Sequence, residues 1–259
     1  MSTVLAIAGV VIKELYRRKD FYVLFVLTAV ITLLLGSVSF FHDTRSYRDV
    51  KDVALLLMWI SALVIAIATT ARQIPAEREN RTIFPLLAKP VTRWQVILGK
   101  FAGCWLACGL ALVVLYLFFI IVSGTHEHHW PLLNYCQALW LQWVMLGVVV
   151  ALVLLGSVVF TAPSSNATIS FIVVLGILFL GRYLNQVAVQ QPEPLKTLVY
   201  GIYFLIPHLE WYDVRDLIIY DQSLVGWVDC ALATLYATLY MAVFLLGTWL
   251  VFRRKALSV

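Results

Sequence analysis

Residues 74–100 read IPAERENRTIFPLLAKPVTRWQVILGK and separate two long apolar runs, VALLLMWISALVIAIATTA at 53–71 and ILGKFAGCWLACGLALVVLYLFFIIVS at 97–123. A helix needs roughly 20 mostly apolar residues to cross the hydrocarbon core of a bilayer, and both runs meet that length. Further runs lie at 21–41, 135–160, 167–185 and 230–252. Together they predict an all-α integral membrane protein with six transmembrane helices in one domain, 1–259. Composition agrees, because 62% of the chain is hydrophobic, well above the roughly 45–50% typical of soluble domains. Lipid is therefore the expected solvent.

Charge orients the spans. Only 13% of residues are charged, yet 72–100 gathers Arg72, Arg78, Arg81, Arg93, Lys89, Lys100, Glu77 and Glu79. With both termini inside, thirteen of the nineteen basic residues fall on the cytoplasmic side, as the positive-inside rule requires. The expected location is the inner (cytoplasmic) membrane, crossed many times, with both termini cytoplasmic and loops 43–51 and 125–129 outside. No basic segment precedes the first apolar stretch, so no removable signal peptide is read there.

The flanking segments have their own patterns. Val4, Ile7, Ala8, Val11, Ile12 and Leu15 recur at helical spacing beside Lys13, Glu14, Arg17 and Arg18, which predicts an interfacial helix within 1–20 or an extension of the next helix. The outward segment 186–228 holds an apolar stretch at 195–206, too short to cross, that is closed by Pro207. It reads as a re-entrant or interfacial helix, with Trp211, Tyr212, Tyr220 and Trp227 suited to headgroup depth.

Within the insert, Pro75 fits the first turn of a helix and Glu77 and Glu79 sit where the helix dipole favours acids. Pro85 and Pro90 then interrupt the helix. The result is a short cytoplasmic projection over 74–96 whose mixed charges suit docking a soluble partner, or simply a solvated positive-inside loop. The run Glu77-Arg78-Glu79-Asn80-Arg81-Thr82, followed by Pro90-Val91-Thr92-Arg93 and by Gly99-Lys100, resembles the pattern of type-2 ABC transporter permeases, exporter-like transmembrane subunits. Arg81 stands where a glycine is usual in that pattern, and Pro85 interrupts a helix that is often continuous. The resemblance implies a coupling helix between spans two and three that fits a groove in a separate ABC ATP-binding subunit. It implies Glu77, Arg78, Glu79, Arg81, Thr82, Pro90 and Arg93 as contact residues. It further implies a second permease copy or related permease, with ATP and Mg on the partner subunit and no cofactor held by this chain.

No ATPase motif is read here, since Gly99-Lys100-Phe101 lacks the upstream glycine and the following hydroxyl of a P-loop. Gly99, Gly103, Ala107 and Ala111 repeat every four residues, a ladder of small residues that allows close helix packing inside the bundle or across a dimer. Cys104 and Cys108 lie beside it and read as packing residues. The middle of every span lacks Asp, Glu, Lys and Arg, which argues against a proton- or ion-coupled carrier. The apolar lateral surfaces suit lipidic or amphipathic cargo better than a small ion, and nothing in the pattern points to nucleic acid. Two rival readings remain. One is a membrane-embedded metal-dependent enzyme using His126, His128 and His129 with His42, His208, Glu210 and Asp213. The other is a membrane scaffold that transports nothing. The run His126-Glu127-His128-His129 is not the H-E-x-x-H zinc pattern and reads first as a polar interfacial turn.

Overall fold

A computed structural model of the chain describes residues 3–17, 26, 30, 44–80, 92–127, 131–190, 195–220 and 223–254. The elements run α1 (Thr3–Tyr16), α2 (Thr44–Ala71), α3 (Pro75–Glu79), α4 (Arg93–Glu127), α5 (Leu132–Val159), α6 (Pro163–Gln190), α7 (Leu195–Leu205), a 3-10 turn (Leu209–Tyr212), α8 (Asp216–Ile219) and α9 (Trp227–Arg254). Among the described residues, five helices are long and apolar enough to span a membrane. They are α2, α4, α5, α6 and α9, on which the last five expected spans fall. The expected span at 21–41 lies outside the described residues.

The helices overrun the apolar limits drawn from sequence. α2 begins at Thr44, so the loop expected at 43–51 is largely helix. α4 continues to Glu127, which makes His126 and Glu127 the end of a helix instead of a turn. α6 continues to Gln190, into the segment expected to start at 186. The cause is common to all three. Backbone hydrogen bonds carry a helix past the point where its side chains become polar, and hydropathy records only the part that suits lipid. At 35 residues, α4 is about 52 Å long, well beyond a hydrocarbon core of about 30 Å.

α5 is the central helix. Of its apolar window 72% is buried, against 22% for α9 and 28% for α6, and it packs against α2, α4, α6 and α9. A reciprocal clamp joins it to α4. The Trp105 and Trp143 rings stack with centroids 4.7 Å apart. The Trp105 indole N–H donates to the Trp143 carbonyl at 2.9 Å, and the Trp143 indole N–H donates to the Trp105 carbonyl at 3.2 Å. Each ring lies over a glycine one turn beyond the other tryptophan. A Cβ at Gly109 would sit 2.5 Å from the Trp143 Nε1, and one at Gly147 would sit 2.9 Å from the Trp105 Nε1 and 2.5 Å from the Met241 Cε. The clamp thus requires a glycine at 109, and at 147 the clamp and Met241 together do.

Asn166, fully buried near the start of α6, ties three spans together. Its amide donates to the carbonyls of Ala71 at 3.1 Å and Val153 at 3.3 Å, and its oxygen accepts from Ser170 at 3.1 Å. Ala71 is the last residue of α2, whose terminal carbonyls need a partner from outside the helix. Asn166→Leu is expected to strand that carbonyl and to cost about 1–3 kcal/mol. The check is a lowered unfolding temperature in detergent with unchanged expression.

At the opposite end, residues 195–220 and 223–226 pack against the helix ends. The 3-10 turn contacts α5 and α6, and α8 contacts α5 and α2. Polar residues at the start of α5 pin this segment. The Asn134 amide donates to the Leu217 carbonyl at 3.1 Å. The buried Gln137 amide pairs with the Val225 backbone in both directions, at 2.8 and 3.0 Å. Arg215 bridges Asp213 at 2.7 Å and reaches Asp52 on α2 at 3.5 Å. The partners Asp213, Asp52 and Asp216, with the direct bond to Asp213 foremost, raise the Arg215 pKa against the opposing effect of burial.

Candidate functional site

The described part of the charged insert meets the end of α2, the start of α4 and the end of α9 at one end of the bundle. α2 stops at Ala71, and residues 72–74 turn the chain directly into α3, with the Ala76 N–H on the Arg72 carbonyl at 3.0 Å. Pro75 occupies the first turn of α3, as expected, and Asn80 closes the helix after five residues. Ile74 is buried beneath it. A five-residue helix has no stability of its own in water, so its position depends on what holds it.

Lys100 supplies such a hold. The side chain belongs to α4, where a lysine near a membrane boundary would ordinarily stretch toward water. It is instead 2% exposed. Its ammonium donates to the Gln73 carbonyl at 3.0 Å and to Glu77 Oε1 at 2.7 Å, with Gln73 Oε1 at 3.5 Å. Gln73 is itself buried, whereas the Glu77 side chain keeps 29% of its surface open. The arrangement gives a buried cation close partners, which burial of a lysine demands.

α4 starts with a capping box. The Gln95 N–H donates to the Thr92 hydroxyl at 3.3 Å, and the Thr92 N–H donates to the Gln95 side-chain oxygen at 3.0 Å, the reciprocal arrangement that fixes a helix start. Arg93 turns inward. Its guanidinium donates to the carbonyls of Phe252 at 2.7 Å and Arg253 at 3.1 Å and lies 5.5 Å from the centre of the Phe252 ring. It thereby caps the C-terminal carbonyls of α9, where a cation also suits the helix dipole.

The other insert residues face differently. Glu79 and Asn80 are exposed. Arg78 is half-buried, and its Nε and Nη2 are shielded from water without a hydrogen-bond partner among the described residues. Burial pulls its pKa below the usual arginine range. Arg81, Thr82 and Pro90 lie outside the described residues.

The small-residue ladder packs within the chain. A Cβ at Gly99 would lie 2.7 Å from the Ile7 Cβ, and one at Gly103 would lie 2.7 Å from the Val11 Cβ. α1 therefore runs parallel to the first turns of α4, burying Ala8, Val11 and Leu15. Ala107 and Ala111 are buried on the same helix. Of the two settings open from sequence, inside the bundle or across a dimer, Gly99 and Gly103 take the first.

The residues of the metal-enzyme reading do not all converge. His208 Nδ1 and Glu210 Oε1 are 3.0 Å apart, but Asp213 is engaged by Arg215. Among the described residues no three His, Cys, Asp or Glu side chains form a metal-sized group. His42, His128 and His129 lie outside the described residues, as do the side chains of His126 and Glu127.

Sequence reading did not find the role of Lys100, because its partners are 23 and 27 residues away across a turn. The T-x-x-Q spacing of Thr92 and Gln95 was a local signal for the start of α4. The arrangement defines a multi-pass helical membrane protein that carries a short, tethered polar helix at the basic end of its bundle. Residues 5–257 match the family model described as ABC-2 family transporter protein. The chain belongs to this family of ABC-2 type transporter permeases, which are transmembrane components. A search of curated proteins found no match to it.

Proposed function

We propose that the chain is the permease subunit of an ATP-driven exporter, in which α3 docks a separate ATP-binding subunit that carries ATP and Mg. The observation that carries this reading is the build of α3. It is tethered to α4 through Lys100 and Glu77, while two Arg78 donors lack partners among the described residues and Glu79 faces outward. A partner carboxylate would meet the Arg78 donors, and a partner cation would meet Glu79. Such complementarity gives a docking surface its specificity. A second permease, identical or related, completes the proposed assembly. The permease contributes no covalent chemistry and moves cargo by alternating access, driven from the docked end.

The test is purification of the full chain from its native membrane in mild detergent. The expected product hydrolyses ATP and contains a polypeptide with a P-loop in fixed ratio to the permease. Intact permease recovered without such a polypeptide would overturn the reading.

The basic end is placed in the cytoplasm. In a background lacking Cys104, Cys108, Cys136 and Cys230, a cysteine at exposed Asn80 should react with impermeant maleimide only after the membrane is opened. A cysteine at exposed Tyr220 should react in intact cells. The reverse pattern would invert the topology.

A further inference from the structure

We propose that Lys100 is a positioning residue that locks α3 to α4, so that a displacement of α3 is delivered to the transmembrane bundle instead of being absorbed in the turn at 72–74. The inference rests on the docking reading of α3 and adds the route by which docking would act.

The geometry favours transmission over simple anchoring. Lys100 bonds to the turn itself, at the Gln73 carbonyl, and to Glu77 within α3. The turn and the helix are thereby held to a single point on α4, and rotation of α3 about 72–74 would break one bond or the other. Directly beside Lys100, Gly99 brings α4 against Ile7 of α1, and one turn further Gly103 brings it against Val11. Two residues beyond Gly103, the Trp105–Trp143 clamp fastens α4 to α5. A push on α3 therefore meets α4 at the level where α4 is already joined to two other helices. An ammonium has three donors, and all three find acceptors here, two on Gln73 and one on Glu77.

The test compares Lys100→Met, which keeps chain length but removes the donors, with Lys100→Arg, which retains a cation and donors. A nitroxide at position 80, in the cysteine-free full-length chain in lipid nanodiscs, reports the motion of α3 without any partner. The Met variant should give a more mobile spectrum, and the Arg variant should return it toward the parent. In the assembly with the ATP-binding subunit, a nitroxide at position 220 reports the far end. Its ATP-dependent spectral change should fall about fivefold or more in the Met variant, the scale of a typical coupling energy, with partner recovery unchanged and Arg restoring the response.

An unaltered label at 80 in the Met variant would overturn the lock. So would a full ATP response at 220 in the Met variant, or a loss that Arg does not rescue. If the parent chain recovers no ATP-binding subunit, the docking reading fails, and the label at 80 still decides whether Lys100 holds α3.

Discussion

Gly103→Leu is expected to be the most damaging single substitution in the N-terminal half, leaving synthesis intact while depleting folded protein in mild detergent. A Cβ at this position would already lie 2.7 Å from the Val11 Cβ and 3.0 Å from the Ala8 carbonyl oxygen. Neither neighbour is the end of a flexible side chain. Leucine would therefore have to move α1 as a body. Overpacking of this kind costs about 1–3 kcal/mol when a core can shift, and helix association in lipid relies mainly on close packing. Cys104→Ala is the contrasting case, since it removes one atom from a buried site and should cost about 1 kcal/mol. Unfolding temperatures of the two variants at matched expression are the measurement. A Val11→Ala change in the Gly103→Leu background should recover part of the loss. Equal stability of Gly103→Leu and the parent would mean that α1 does not hold this position.

The second large effect is expected from reversing both charges at the tip of α3, Arg78→Glu with Glu79→Lys. Neither residue bonds to Lys100, so the helix should keep its tether through Glu77. The proposed partner would then meet like charges where it had complementary ones, and truncating or reversing desolvated interface charges is costly. Recovery of the ATP-binding subunit should fall roughly tenfold or more, equivalent to at least 1.4 kcal/mol, with unchanged membrane insertion and unfolding temperature. Arg93→Ala is the internal control. Because Arg93 caps α9, its loss should lower thermal stability and leave partner recovery close to that of the parent. Should the double reversal retain its partner in full, α3 is not the docking element.

Much of the fold was legible because lipid imposes a length rule on every span. Apolar runs located α2, α4, α5, α6 and α9, and Pro75 marked the start of α3. What the runs could not locate was where each helix ends, since the last turns of α4 and α6 are held by the backbone and not by hydropathy. The ladder of small residues was visible, but its partner was not. Nothing in the spacing of Gly99 and Gly103 says that Ile7 and Val11 face them. At the candidate site the charges were legible and their pairing was not. Arg93 read, through the family resemblance, as a contact for the ATP-binding subunit, and its guanidinium bonds to carbonyls at the end of α9, that of Arg253 lying 160 residues away. Lys100 read as a boundary lysine and proved to be buried, because a sequence gives the order of charges and says nothing of which are folded onto each other.

The paired tryptophans between α4 and α5 have a genetic consequence. Trp105, Gly109, Trp143 and Gly147 form a quartet in which each indole donates to the other tryptophan's backbone carbonyl and lies against the other helix's glycine. Once the Trp143 ring is lost, Trp105 has lost its stacking partner and Gly109 its three nearest neighbours, whereas Gly147 stays crowded by Met241, whose Cε would lie 2.5 Å from a Cβ there. Substitutions in the quartet should therefore be strongly epistatic, as contacting residues in one network generally are. Gly109→Ala should be harmful beside an intact Trp143 and nearly silent beside Trp143→Leu. In a population of variants Gly109 and Trp143 would change together, so that their covariation alone would reveal which face of α4 meets α5.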